Sequence, residues 1–258
     1  GAINGVAPVA APVIGGLLTG SVGWQGIFMI LLFIGILLGI GCIRFKESLP
    51  AEKRSKTGVW ATFRSFGIIV HNRRYMLYVF QLAFAQGILF AYIASSPFII
   101  QQHYGFSPFA FSICFAVNAV AIGVAAALSV KFRRAESGTL TGCVGMLVFA
   151  VLQMAALYSG CGFWTYELLM FALLFMMGLT FTASTTLAMD CERRYAGAAS
   201  ALLGALCFAS GGIVSPLVGL GDILISTGVT FVICAVCSLL CALWAVKRTG
   251  PKVALCRI

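Results

Sequence analysis

Long apolar runs alternate with short polar breaks along this chain, and the runs set its architecture. Residues 1–43 and 75–130 contain no Asp, Glu, Lys or Arg; residues 138–189 hold one carboxylate, Glu167, and 196–246 hold only Asp222. A helix crossing a bilayer takes about 20 apolar residues, so each run is long enough for two. Residues 20–25, 95–108, 159–162 and 219–222 divide the four runs, because Gly, Ser and Pro gather there. The pattern predicts eight spans of an all-α membrane protein.

One segment breaks this rhythm. Residues 44–74 form the only long polar stretch, separating two spans from six. After Pro50, the apolar residues Val59, Phe63, Phe66 and Val70 recur at i, i+4, i+7 and i+11. That spacing predicts an amphipathic helix lying along the membrane face, with Arg64 toward the headgroups. A charged, solvated linker fits the same residues nearly as well.

Charge then orients the spans. Lys and Arg number 17 against 7 Asp and Glu, a net charge of +10. They fall in four clusters: 44–74, Lys131 with Arg133 and Arg134, Arg193 with Arg194, and the tail from Lys247. With eight spans, alternation puts all of them on one side, and the loops near residues 22, 102, 162 and 222 carry none. The positive-inside rule makes the basic side cytoplasmic, with both ends of the chain on it. The net charge is therefore a topology signal, not a nucleic-acid site.

Composition closes off other classes. The chain is 61% hydrophobic and 9% charged, against about 25% charged in soluble domains, which excludes a soluble enzyme, a nucleic-acid-binding module and a disordered tail. An intramembrane enzyme would need a nucleophile with a base, paired aspartates or a metal helix. The two histidines, His71 and His103, fall outside the predicted spans, and no H-E-x-x-H pattern occurs. No catalytic residue and no metal site are predicted. Cys234, Cys237 and Cys241 share one helical face but lack His, Asp or Glu nearby, so they read as packing residues.

The first run carries a distinctive motif, Ala7-Pro8-Val9-Ala10-Ala11-Pro12-Val13-Ile14-Gly15-Gly16. Ala7, Ala11 and Gly15 stand at i, i+4 and i+8, leaving one face almost without side chains for close helix approach. Pro12 removes a backbone hydrogen bond and bends the helix. Ser215-Pro216-Leu217-Val218-Gly219 echoes Ala11-Pro12-Val13-Ile14-Gly15, with the prolines 204 positions apart and six spans per period. A six-helix repeat about an axis along the membrane normal marks major facilitator transporters.

On these residues the chain resembles the Bcr/CflA (bicyclomycin-resistance) branch of drug:proton antiporters in the major facilitator superfamily. Ala11, Pro12, Gly15 and Gly16 are similar to the antiporter motif of helix five, with Ala11 where the family usually has Gly. Glu47-Ser48-Leu49-Pro50-Ala51-Glu52-Lys53-Arg54 resembles the start of the central loop, and Ala196-Gly197-Ala198-Ala199-Ser200-Ala201-Leu202-Leu203-Gly204 the opening of helix eleven. Phe90-Ala91-Tyr92, Ser96-Pro97-Phe98 and Tyr104-Gly105 look like helix seven and its extension. Thr182-Ala183 stands where the family often has Pro-Asn.

The resemblance implies a major facilitator fold, with the eight spans corresponding to helices 5–12 of twelve. Residues 1–43 would end the N-terminal half, 44–74 would link the halves, and 75–258 would form the C-terminal half and a short tail. It implies multidrug efflux across the bacterial inner membrane, with the proton as coupling ion and no other cofactor. The partners would be amphipathic drugs and the bilayer, with no nucleic acid and a monomer when complete. An exporter of a metabolite such as a sugar or amino acid is the alternative. The coupling acid would lie in helices preceding this chain, which reads as a fragment.

Within the spans, uncharged polar side chains remain. Asn4, Gln81, Gln86, Asn118 and Gln153 must find partners in hydrocarbon, and Gln153 is expected to bond a neighbouring helix. Gln86 and Phe90 share a face of span three; Met177, Phe181 and Ser184 share a face of span six. By resemblance, these five and Asn118 line the substrate cavity, although a Met and Phe stripe is equally a packing pattern. Glu167, Asp190 and Asp222 are expected at span ends, facing water.

Overall fold

The computed structural model describes residues 2–45 and 59–247; side chains are described from residue 14, except 16, 17 and 19, and again from residue 65. Eight α-helices follow in order: α1 (Ala2–Arg44), α2 (Val59–His71), α3 (Arg73–Pro97), α4 (Pro108–Ser129), α5 (Ala135–Tyr158), α6 (Phe163–Cys191), α7 (Ala196–Leu217) and α8 (Ile223–Lys247). A π-helical segment, Phe98–His103, extends α3, and a 3-10 turn, Arg193–Tyr195, leads into α7. The described residues contain no strand.

Seven helices are long and apolar enough to cross a membrane, the first of them Gly20–Arg44. The expected eighth, within the first run, is the earlier part of α1, which joins the second without a loop. Residues 20–25 lack a proline or charge that would force the backbone out of a helix. The chain departs from helical geometry only at Gly23 (φ 65°, ψ 179°). A straight helix of 43 residues would be about 64 Å long, twice the hydrocarbon thickness. A break is therefore required, and glycine takes that positive φ without a Cβ clash.

A second boundary also moves. Ser95-Ser96-Pro97 closes α3 without reversing the chain, because Ser95 Oγ donates to Ala91 O within the helix and the chain continues as a wider π turn, closed by Tyr104 N–H to Ile99 O at 3.1 Å. The reversal comes at Tyr104–Ser107, where Gly105 takes φ 72° and Ser107 caps α4 through Ala110 N. The other reversals fall where expected, with positive φ at Gly160 and Gly221.

The core lies among α3, α5, α6 and α8. Helix α3 packs on α6, α7 and α8; α5 is wedged between α6 and α8; α4 covers α6 and carries α1 on its other side. Ile88, Tyr92, Met146, Met170, Leu173, Met177 and Phe231 are buried together there. Small residues permit the approach: a Cβ on Gly142 would meet Thr180 Cγ2 at 2.4 Å, and one on Gly178 would meet Ile122 O at 2.5 Å. From Gly20 onward α1 stays outside this core, with Phe28, Leu32 and Leu38 more than 60% exposed.

Helix α2 forms where the periodicity placed it, but with a different buried face. Val70 is 47% exposed, whereas Ile69 is fully buried beside Tyr75, Tyr78 and Val79. The nearest apolar partners stand at the start of α3, and Asn72 caps that helix immediately after α2. That short connection rotates Ile69 inward. The side chains of Val59, Phe63 and Arg64 lie outside the described ones.

Candidate functional site

At the basic end, hydrogen bonds fix α3 against two distant elements. Asn72 accepts from Tyr75 N–H and donates through Nδ2 to Glu192. The Tyr75 hydroxyl donates to Ala199 O at 2.6 Å. Deeper in the core, Gln81 Nε2 donates to Ser238 Oγ at 3.2 Å and approaches Cys143 Sγ. This amide is used for joining α3, α5 and α8.

One turn further along α3, the side chains become accessible. Gln86, Phe90 and Ala94, at i, i+4 and i+8, follow one face, and none is fully buried. The Phe90 ring lies against α7, 6.0 Å from Phe208, over Gly211, where an added Cβ would stand 2.4 Å from the ring. This face leads into a recess of about 860 Å³ between the end of α3 and the α7–α8 turn, lined by Ala94, Phe98, Gln102, His103, Pro216 and Asp222 among others. Asp222 caps α8, accepting from Leu224 and Ile225 N–H.

The other predicted cavity residues diverge. Met177 is a core residue at 2% exposure. Ser184 is buried and shares a 3.0 Å hydrogen bond with Thr139 of α5. Phe181, on the same predicted face, is 40% exposed. Asn118 is fully buried, with Nδ2 donating to Tyr92 Oη at 3.0 Å and to Glu167 Oε1 at 2.8 Å.

That last bond corrects the reading of Glu167 as a water-facing interfacial residue. Its Oε2 is buried and has no hydrogen-bond partner among the described residues, and its stem joins Phe106, Ile113, Val117, Phe163 and Trp164 around an apolar recess of about 270 Å³. The side chain turns inward because α4 presents the only asparagine of residues 75–130 one helix away. The signal available in the sequence was the single carboxylate of residues 138–189 set against the few amides of neighbouring spans, Asn118 among them. Asp190 and Asp222 are exposed, as expected. Gln153 departs from expectation too: it is fully buried, and neither amide atom finds a partner among the described residues.

Beside this cluster, Tyr104 donates to Cys161 O at 2.9 Å and packs edge-on to Phe163. Burial, with Cys161 second, pushes its phenol above the ordinary range, so it stays a neutral donor. Among the described residues, no three His, Cys, Asp or Glu side chains are grouped to hold a metal; Cys234 packs in the core, while Cys237 and Cys241 are half-buried. Of the antiporter motif, Gly15 is described and is half-buried within α1; the side chains of Ala11 and Pro12 and the surroundings of Gly16 lie outside the described ones.

Seven helices of membrane-spanning length and composition, packed around an apolar core, make this a multi-pass membrane bundle. The Major Facilitator Superfamily profile matches residues 1–216, and the chain belongs to that family, whose members are transporters and not enzymes. It is 37% identical over 227 residues to the uncharacterized MFS-type transporter YdgK of Bacillus subtilis, covering 85% of this chain and 56% of that protein. It is 28% identical to the bicyclomycin resistance protein homolog of Haemophilus influenzae, over 83% of this chain and 54% of that one. A shorter match, 26% over 104 residues, joins 40% of this chain to 25% of the multidrug transporter MdfA of Edwardsiella ictaluri. The chain thus spans about half the length of the curated relatives it matches over most of its own length.

Proposed function

We propose that this chain is the larger part of a Bcr/CflA-type transporter that exports small amphipathic, drug-like molecules across the bacterial cytoplasmic membrane in exchange for protons. Residues 1–43 close the N-terminal six-helix half, 44–74 link the halves, and 75–258 form the C-terminal half. The basic loops and both ends of the chain face the cytoplasm. The substrate path follows the accessible face of α3.

The observation that carries this reading is the continuous run of Gln86, Phe90 and Ala94 from the middle of α3 to the recess beneath Pro216. Phe90 and Phe98 give this path apolar contact surface, while Gln86, Gln102 and His103 add a few polar groups along it, a mixture that suits amphipathic molecules of varied shape. A sugar or amino acid would call for a denser set of polar partners. The relatives named for bicyclomycin resistance and multidrug transport support the same class.

The test is export by the full-length protein in energised membrane vesicles, against a panel of amphipathic antibiotics and dyes beside sugars and amino acids. Export of the former, with ratios altered by Gln86→Ala at unchanged protein level, is expected. Export of metabolites alone would overturn the reading.

A further inference from the structure

We propose that Gln153 of α5, Thr227 of α8 and Ser96 of α3 form a binding site for ordered water. The site lies toward the end of the bundle away from the basic loops, and the bound water joins the three helices. This goes beyond the efflux reading and does not depend on it.

Gln153 and Thr227 face the same interior. A Cβ on Gly228 would stand 3.0 Å from Met154 Cα, so the backbones of α5 and α8 touch at that pair. Helix α5 follows a basic loop and α8 ends at Lys247, so the two run antiparallel. In antiparallel right-handed helices, the residues preceding two such contact positions turn to the same side of the seam, about 3 Å apart along the axis. Those residues are Gln153 and Thr227, and both are fully buried. Ala150 and Phe231, one turn inward on each helix, lie on that side in the main core. Leu157, one turn outward, belongs to a smaller cluster with Ile99 and Ile100. On α3, Ser96 falls at the same boundary, between Tyr92 of the main core and Ile100 of the smaller cluster, and is fully buried.

These polar groups match in kind but do not bond one another. Helix hydroxyls in this chain commonly fold back on the carbonyl one turn earlier, as those of Ser95, Thr185, Thr186 and Thr230 do. Ser96 Oγ and Thr227 Oγ1 do not: both are buried without a partner among the described residues, as are Nε2 and Oε1 of Gln153. The Tyr166 hydroxyl is spoken for elsewhere, since it faces Tyr92 and Glu167. The amide offers donors and an acceptor, and each hydroxyl can do both, so what the site lacks is a bridge. Water supplies it, because buried waters typically join polar groups that have no other partner. The inner end of the same three helices shows the direct version, where Gln81 of α3 donates to Ser238 of α8 and approaches Cys143 of α5. Thr227 stands about three turns from Ser238 on the same face of α8. Helix α1 packs on α4, and α6 lies between α4 and α5, so α1 is remote from this seam.

Radiolytic hydroxyl-radical labelling of the full-length protein in dodecyl maltoside micelles tests this directly. A short X-ray pulse makes radicals where water is, and they mark the side chains beside it. Mass spectrometry reads each rate relative to the same residue in the SDS-denatured protein. Leu157 and Phe231, both buried, should be labelled, whereas Met146, more reactive but deeper in the core, should not. Gln153→Met and Thr227→Val should each abolish the label, and Thr227→Ser, which keeps the hydroxyl, should retain it. Thr227→Val preserves the shape of the side chain, so the result stands even where Gln153→Met fails to fold. Thermal unfolding gives an independent readout: Gln153→Met lowers the midpoint if the amide is bonded to water and raises it if the amide is dry and unpaired. A raised midpoint, no label at Leu157 and Phe231 in the unmodified protein, or a label that survives both substitutions would overturn the proposal.

Discussion

A Cβ placed on Gly178 would stand 2.5 Å from the carbonyl oxygen of Ile122, so α6 and α4 meet there with no room for a side chain. In lipid, where apolar side chains gain little by leaving the solvent, such close backbone approach is a principal source of helix association. Gly178→Val should force the helices apart and lower stability by about 1–3 kcal/mol, the usual range for overpacking. Gly204→Ala, at a position with open space, should leave stability unchanged or slightly higher. Thermal unfolding of the purified protein in micelles compares the two.

Gly23 is the hinge within α1. At φ 65° and ψ 179° the backbone lies in a region that is essentially confined to glycine, and another residue there costs about 1–3 kcal/mol, so Gly23→Ala should lower the protein's amount in the membrane, while Gly35→Ala in the same helix should not. Quantitative immunoblotting of membrane fractions reads the difference.

Tyr75 ties α3 to α7 through its 2.6 Å bond to Ala199 O. Tyr75→Phe removes this second donor while Ala199 O stays within the α7 ladder, a loss of about 0.5–1.5 kcal/mol. The expected result is a lower unfolding temperature with unchanged substrate ratios in export.

The Phe90 ring occupies the space over Gly211. Gly211→Ala should push the ring toward the accessible face of α3 and change which molecules are exported, whereas Gln86→Ala should change selectivity by removing the amide. Minimum inhibitory concentrations across a drug panel, normalised to protein level, give the readout. Unaltered ratios in both variants would remove α3 from the substrate path.

Much of the fold was legible because hydrocarbon demands one kind of answer. An uncharged run such as 75–130 must be helical, and Gly160 and Gly221 mark turns by chemistry. Where a turn lacked charge or proline, as at residues 20–25, composition alone placed a loop that the backbone reduces to one glycine. At Pro97 the reverse happened: a residue that signals a break was absorbed by a π turn. The site was less legible because periodicity reports which residues share a face, not what that face meets. Met177, Phe181 and Ser184 share one on paper, yet Ser184 meets Thr139 and Met177 fills the core. Glu167 was misplaced for the same reason, since its partner Asn118 is 49 residues away.

Drug-driven proton movement is the most direct measurement. Inverted membrane vesicles containing the full-length protein, acidified inside by respiration, would be given an amphipathic drug while internal pH is followed with a fluorescent probe. Proton-coupled efflux requires that the drug raise internal pH, and that vesicles without the protein show no such change. Drug accumulation with internal pH unmoved would contradict proton exchange, and neither accumulation nor a pH change with any amphipathic compound would contradict efflux itself.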